Sequence, residues 1–224
     1  MAEYFGNIVK ILSNYWDVFL ITGVGYTLLL SFITVAVGSI LGVFLCLGRM
    51  ARFKPLNWVV KAFVEVVRGT PLLLQLYIFY FLVPKILPFT VSDFGSVAIG
   101  LVINSGAYVS EVFRSGIQAV DRGQSEAARS LGLTSSMTMR RIVLPQAIKN
   151  ILPALGNEFV TVIKETSLAS TFFVGDLMTS YLIVKGNTYL TMECLLIVGV
   201  LYFLLNFVLS RLLGVFERRL KAND

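Results

Sequence analysis

Between Asp17 and Arg49 the chain carries no charged side chain. A run of that length and composition leaves few folds open. Lipid offers no water to backbone N–H and C=O groups, so only helices and closed barrels cross a bilayer. A helix needs about 20 apolar residues to cross a hydrocarbon core of about 30 Å. A barrel strand would alternate in polarity over about 10 residues, and this run does not alternate. The rest of the chain agrees: 56% of residues are hydrophobic and 14% charged, against about 25% charged in a soluble domain. The expected class is an all-α membrane protein.

Composition also excludes several chemistries. There is no histidine, so a Ser-His triad, a HExxH zinc site and a histidine proton shuttle are ruled out. Gly-Lys never occurs, so the chain has no GxxxxGK[ST] phosphate loop, and any ATP would be bound by another chain. Cys46 and Cys194 lie in apolar runs and read as small buried hydrophobes. The N-terminus lacks the basic start, continuous apolar core and cleavage site of a signal peptide.

The whole chain, residues 1–224, reads as one transmembrane domain. Residues 4–16 place Phe5, Ile8, Val9, Leu12 and Trp16 on one helical face and Asn7, Lys10 and Asn14 opposite, the pattern of an interfacial helix. Five spans follow, at 17–48, 71–87, 95–119, 146–172 and 190–216. The first contains Gly38-Ser-Ile-Leu-Gly42, a GxxxG pattern that permits close helix approach. Residues 56–68 are amphipathic and lead into the second span, either directly or through a break at Arg68-Gly-Thr-Pro71. There Thr70 is expected as an N-cap and Pro71 as the first helical residue. Pro153 and Gly156 mark an expected kink in the fourth span, and residues 173–189 are expected to form a loop.

Five spans put the termini on opposite sides. Lys and Arg mark the cytoplasmic side. Fourteen of the nineteen basic residues fall in three segments on one side: Arg49 to Lys61, Arg114 to Lys149, and Arg211 to the C-terminal end. The C-terminus is therefore expected inside and the N-terminus outside, and the net charge of +6 needs no nucleic-acid partner.

The longest polar stretch, residues 121–145, is then cytoplasmic. It reads as two short helices and a turn. Asp121 or Ser125 caps the first, Gly132 ends it, Thr134 caps the second, and Pro145 is expected to stop it. Its spelling is Glu126-Ala127-Ala128, three residues, Gly132, nine residues, Ile142, one residue, Leu144-Pro145. This resembles the EAA loop of ABC importer permeases, with all seven positions filled. Arg68-Gly-Thr-Pro-Leu72 and Ile163-Lys-Glu-Thr-Ser-Leu168 are similar to segments of the polar amino acid uptake subgroup of the type I importer fold.

The resemblance covers essentially the whole chain. It implies five transmembrane helices, the N-terminal interfacial helix and a cytoplasmic coupling helix at Gln124–Leu131. It implies a permease that is not an enzyme and binds no cofactor, with ATP and Mg on two partner ATPase subunits. It implies a second permease chain, identical or homologous, and an extracytoplasmic amino acid binding protein. The location implied is the prokaryotic inner membrane. Glu126, Ala127, Ala128, Arg129 and Gly132 become the expected ATPase-coupling residues.

Substrate contacts are read from the spans instead. A charge at the bilayer centre costs roughly 2.5–3.5 kcal/mol on insertion scales and so faces water, a partner or a substrate. Glu158 lies about 18 Å past Gln146 along a helix, near the midplane, with Ala154, Thr161 and Glu165 on the same face. Asn104, Ser105 and Tyr108 in the third span would face it. A carboxylate, an amide, hydroxyls and an aromatic ring point to a basic amino acid: arginine, lysine or histidine. Glutamine or glutamate is the alternative substrate. An ion pair of Glu158 with Lys164 or with the second permease chain is its competing structural role, and a stand-alone secondary transporter the competing class. Glu111 with Arg114, and Glu65 with Arg68, are expected as paired charges near the cytoplasmic interface.

Overall fold

The computed structural model describes the backbone of residues 2–221 and the side chains of residues 3–219. Residues 222–224 of the expected cytoplasmic tail, and the side chain of Lys221, lie outside the described residues. Among the described residues all regular structure is helical.

Helix α1 (Ala2–Asp17) is joined without a loop, through a π-helical stretch at Val18–Val24, to α2 (Gly25–Met50). Glu3–Met50 thus forms one 48-residue helix. The expected N-terminal helix is present, and its one irregular residue is Tyr15 (φ −131°, ψ 19°). Its apolar stripe of Phe5, Val9, Leu12 and Trp16 stays exposed, while Ile11 is buried against Leu177, Tyr181 and Cys194. Asn7 donates to Glu193 at 3.2 Å. The π stretch frees a backbone acceptor, since the extra residue breaks the i→i−4 ladder; Ser180 Oγ donates to Val18 O at 2.9 Å.

Helices α3 (Lys54–Gly69) and α4 (Leu72–Ile86) are not continuous: they meet at 111°. The chain breaks at the residue before Pro71, where proline pushes its predecessor out of the helical region; Thr70 has ψ 149°. The expected cap roles shift by one. Thr70 terminates α3, Pro71 is the N-cap residue of α4, and the Pro71 position has no side-chain cap bond. Thr70 Oγ1 instead donates back to Val66 O at 2.9 Å.

Helix α5 (Asp93–Gln118) is the axis of the molecule, packed against α2, α3, α4 and α8 (Leu144–Glu165). Ser92 caps it, accepting from Gly95 N at 3.1 Å. The close approach that Gly38 and Gly42 permit is made with α5. A Cβ on Gly38 would lie 3.3 Å from Gly106 N, and one on Gly42 would lie 2.7 Å from Val109 Cγ1 and 3.1 Å from Ser110 N. Only glycine lets the two backbones come this close.

The polar loop folds as α6 (Arg122–Ser130) and α7 (Ser135–Thr138). Pro145 does not stop the second helix. A π turn at Met139–Val143 carries α7 into α8, with Pro145 in the first turn of α8, where a missing N–H leaves nothing unsatisfied. Pro153 lies inside α8, which passes into a 3₁₀ stretch, Thr166–Phe172.

Residues 173–189 are not a loop: they contain α9 (Leu177–Thr188). Buried Asp176 caps it, accepting from Met178 N at 2.9 Å and from Thr179 Oγ1 at 2.5 Å. Tyr189 closes it in the left-handed region (φ 61°). A capping aspartate after Gly175 is a helix-start signal that the polarity of the segment obscured. Helix α10 (Thr191–Lys221) ends the chain.

Among the described residues three helical stretches are long and apolar enough to cross a membrane: Glu3–Met50, Asp93–Gln118 and Thr191–Arg219. Two bent pairs pass only as pairs, Lys54–Gly69 with Leu72–Ile86, and Ser135–Phe172 with Leu177–Thr188 at 45°. Five crossings result when each bent pair counts as one.

Candidate functional site

Two regions carry the polar chemistry, one at the end of α5 and α6, the other along α5 and α8.

Helix α6 is short and built by its ends. Asp121 Oδ1 accepts from Gly123 N at 2.7 Å. At the other end Leu133 N donates to Ala128 O at 3.1 Å and Gly132 N to Arg129 O at 3.0 Å. That pair of bonds is a Schellman motif, with Gly132 in the left-handed position (φ 87°). Thr134 Oγ1 accepts from Met137 N at 3.3 Å and starts α7. Of the expected coupling residues, Glu126, Ala127, Arg129 and Gly132 are exposed. Ala128 is not: at 6% exposure it is buried within its own chain. Neighbouring helical residues point about 100° apart, so the two alanines do not form one outward face. Leu131, 82% exposed, was not singled out from sequence; an apolar residue just before a C-cap glycine is the signal that marks it.

Along α5, consecutive side chains address different neighbours. Ser105 Oγ donates to Glu158 Oε1 at 3.0 Å, so the predicted α5–α8 pairing exists at these two residues. Asn104 does not join it. Its Nδ2 donates to Gln75 Oε1 on α4 at 2.9 Å, and both residues are buried. The same 100° step turns Asn104 towards α4 and Ser105 towards α8. Gln75 Nε2 in turn donates to Val67 O at 2.6 Å and to Thr70 Oγ1 at 2.8 Å. One amide thus satisfies the end of α3 at the 111° break. Gln75 stands alone in the apolar run Leu72–Leu82, and a lone intramembrane amide was the signal that a partner existed.

Glu158 is partly buried in α8, and no cation lies within ion-pair distance of it among the described residues. The expected Glu158–Lys164 pair is therefore absent within this chain. Thr161 and Lys164 are exposed and Glu165 is partly buried. Tyr108 is 38% exposed. The α5–α8 face is open in the single chain.

Below it, one carboxylate holds three arginines. Glu111 Oε2 lies 2.5 Å from Arg49 Nη1 and 3.7 Å from Arg68 Nη1, and Oε1 binds Arg114. Helices α2, α3 and α5 meet here. The Glu111–Arg114 pair was expected. The Glu65–Arg68 pair was not formed: Glu65 pairs with Lys61 at 3.7 Å, and Arg68 turns to Glu111 and lies over the Tyr108 ring, 5.2 Å from its centre.

Among the described residues no group of three or more Cys, Asp or Glu could hold a metal.

A family model described as "Binding-protein-dependent transport system inner membrane component" matches residues 35–222. The chain is 40% identical over 206 residues to the arginine transport system permease protein ArtQ of Bacillus subtilis (strain 168), covering 92% of this chain and 94% of that one. It is 36% identical over 212 residues to the L-cystine transport system permease protein TcyB of the same organism, covering 93% and 88%. A chain from the solved structure titled "Crystal structure of an amino acid ABC transporter with histidines" superposes with a TM-score of 0.88 at 43% identity, covering 93% of this chain and 96% of that one.

Proposed function

The chain belongs to the family of binding-protein-dependent transport system inner membrane components and is the permease subunit of an amino acid ABC transporter; from that premise we propose that its substrate is a basic amino acid. The observation that carries this reading is Glu158, a carboxylate within a membrane helix whose contact in the chain is the Ser105 hydroxyl and which has no cation paired to it among the described residues. A carboxylate placed so selects a cationic ligand, because a charge away from water is stabilised only by an opposite charge or strong hydrogen bonds. Relatives named for arginine transport and crystallised with histidines support the choice. Thr161 and Tyr108, both exposed, complete the contact, while Ser105, buried at 2%, holds the Glu158 carboxylate from behind; Glu165 lies two turns beyond Glu158, towards the entry. Asn104 supports the wall through Gln75.

The transport cycle follows from the loop. Helix α6, with Glu126, Ala127, Arg129 and Gly132 outward, docks in one of two ATPase subunits, and Leu131 adds an apolar tip. Closure of the ATPases around ATP and Mg pushes this helix and turns the pathway from inward-open to outward-open. A second permease chain covers the open α5–α8 face, and a binding protein delivers substrate to the outer side. The N-terminus is outside and the C-terminus cytoplasmic in the prokaryotic inner membrane. This chain moves substrate and performs no catalysis.

The test is ATPase activity of the reconstituted complex with its binding protein, against a panel of amino acids. Stimulation by arginine, lysine or histidine is expected. Stimulation by glutamine, glutamate or cystine alone overturns the substrate reading. Separately, Gly132→Asp or Glu126→Lys should release the ATPase subunits in a pull-down, and retention of both would overturn the docking role of α6.

A further inference from the structure

The reading above accounts for the cationic end of a substrate and leaves its carboxylate without a partner. We propose that Arg68 binds the substrate α-carboxylate, so that Arg68 and Glu158 grip an amino acid by its two ends across Tyr108. The proposal rests on the basic amino acid reading for Glu158 and adds the second half of the site.

The position follows from α5. Ser105 hydrogen-bonds Glu158 at 3.0 Å, and Tyr108 lies under the Arg68 guanidinium at 5.2 Å. Residues three apart on a helix are neighbours, about 5–6 Å between Cβ atoms. Their azimuths differ by roughly 60° at 3.6 residues per turn. Asn104, which faces α4, lies on the far side of Tyr108 from Ser105. Tyr108 is therefore the floor between two walls. The α8 wall carries Glu158 and the α3–α4 wall carries Arg68. In the single chain Tyr108 is 38% exposed and the Arg68 side chain 39% exposed, so both face the space that the second permease chain would enclose.

The charge balance leaves Arg68 available. Among the described residues Glu111 is the one carboxylate within ion-pair distance of Arg68, and Arg49 at 2.5 Å and Arg114 already occupy both of its oxygens. Arg68 stands off at 3.7 Å from an oxygen it shares with Arg49. Three guanidiniums against one carboxylate leave positive charge unneutralised, and Arg68 is the most exposed of the three. The guanidinium lies over the Tyr108 ring and its one ion pair is long, so N–H donors remain for a carboxylate, which a guanidinium binds bidentately. A site with a fixed cation and a fixed anion rejects an amine that lacks the carboxylate, because the guanidinium then loses its partner.

The test compares L-arginine with its decarboxylated amine, agmatine, in direct equilibrium binding to the purified permease–ATPase complex without binding protein. The wild type is expected to prefer arginine by roughly 10- to 100-fold, the range of one charge-assisted contact. Arg68→Gln should bring arginine down to the affinity of agmatine and leave agmatine unchanged, so agmatine binding also reports that the variant is folded. Should Arg68→Gln not assemble, Arg68→Lys is read on the same ratio. A preference reduced below that of the wild type supports the clamp, since lysine cannot fork, and an unchanged one overturns it. A wild type without preference, or Arg68→Gln weakening both ligands equally or neither, also overturns it. Glu158→Gln separates the two readings: loss of both ligands supports the cationic subsite, and unchanged binding of both refutes that subsite and the two-ended grip, while the Arg68 ratio still decides whether Arg68 binds the carboxylate.

Discussion

Replacing Gly132 by alanine isolates the last turn of α6. Gly132 has φ of 87°, a region where an L side chain costs roughly 1 kcal/mol or somewhat more. A Cβ at this position meets nothing within 4 Å in the chain, so backbone strain is the whole intramolecular cost. About 1 kcal/mol shifts a local equilibrium about fivefold. The reporters are the amides of Gly132 and Leu133, which donate to Arg129 O and Ala128 O at 3.0 and 3.1 Å. Hydrogen exchange at these two amides should quicken about fivefold in Gly132→Ala. Gly132→Asn should stay near the wild-type rate, because asparagine visits the left-handed region routinely. Substrate-stimulated ATPase activity should fall in the alanine variant with the loosened turn. Equal exchange in the asparagine and alanine variants, or no change in alanine, refutes the strain argument.

Gly42→Ala should lower the thermal midpoint of the detergent-solubilised protein, since a Cβ there comes within 2.7 Å of Val109 and overpacking costs typically about 1–3 kcal/mol; Gly6→Ala, inside α1 with nothing within 4 Å, should not lower it, because alanine favours a helix over glycine by about 0.5–1 kcal/mol. Glu111→Gln should destabilise by roughly 1–3 kcal/mol in chemical denaturation, because the partly buried Arg49 and Arg114, and the exposed Arg68, lose their carboxylate, whereas Glu65→Gln removes an exposed pair with Lys61 and should stay within about 0.5 kcal/mol. Gln75→Leu leaves the buried Asn104 amide without its partner and removes the bond to Val67 O, a loss of roughly 1–3 kcal/mol, and adding Asn104→Leu should recover part of the midpoint by removing the stranded amide.

What the sequence made legible was periodic or punctuated. The apolar runs, the Gly38–Gly42 contact and the caps at Asp121, Gly132 and Thr134 all follow from local rules, and the structure places each where those rules put it. What it hid depended on direction in space. Asn104 and Ser105 are neighbours in sequence and face different helices, and Ala127 and Ala128 divide in the same way between outside and inside. Arg68, at the end of α3, turns to Tyr108 and Glu111 on α5 and not to Glu65 on its own helix. No spacing rule within α3 predicts that, because the partner lies on α5. From sequence Pro145 suggests a stop, yet in the first turn of α8 it is a start. Proline marks a boundary without saying on which side the helix lies.

Glu158→Gln in the complex reconstituted with its ATPase and binding protein decides the substrate reading. The quantity is the ratio of arginine to glutamine uptake into vesicles. Loss of the carboxylate removes a charged contact of roughly 1.5–3 kcal/mol, so the ratio should fall by about tenfold or more while ATP-driven uptake persists. An unchanged ratio in the variant would contradict the assignment of Glu158 to the substrate.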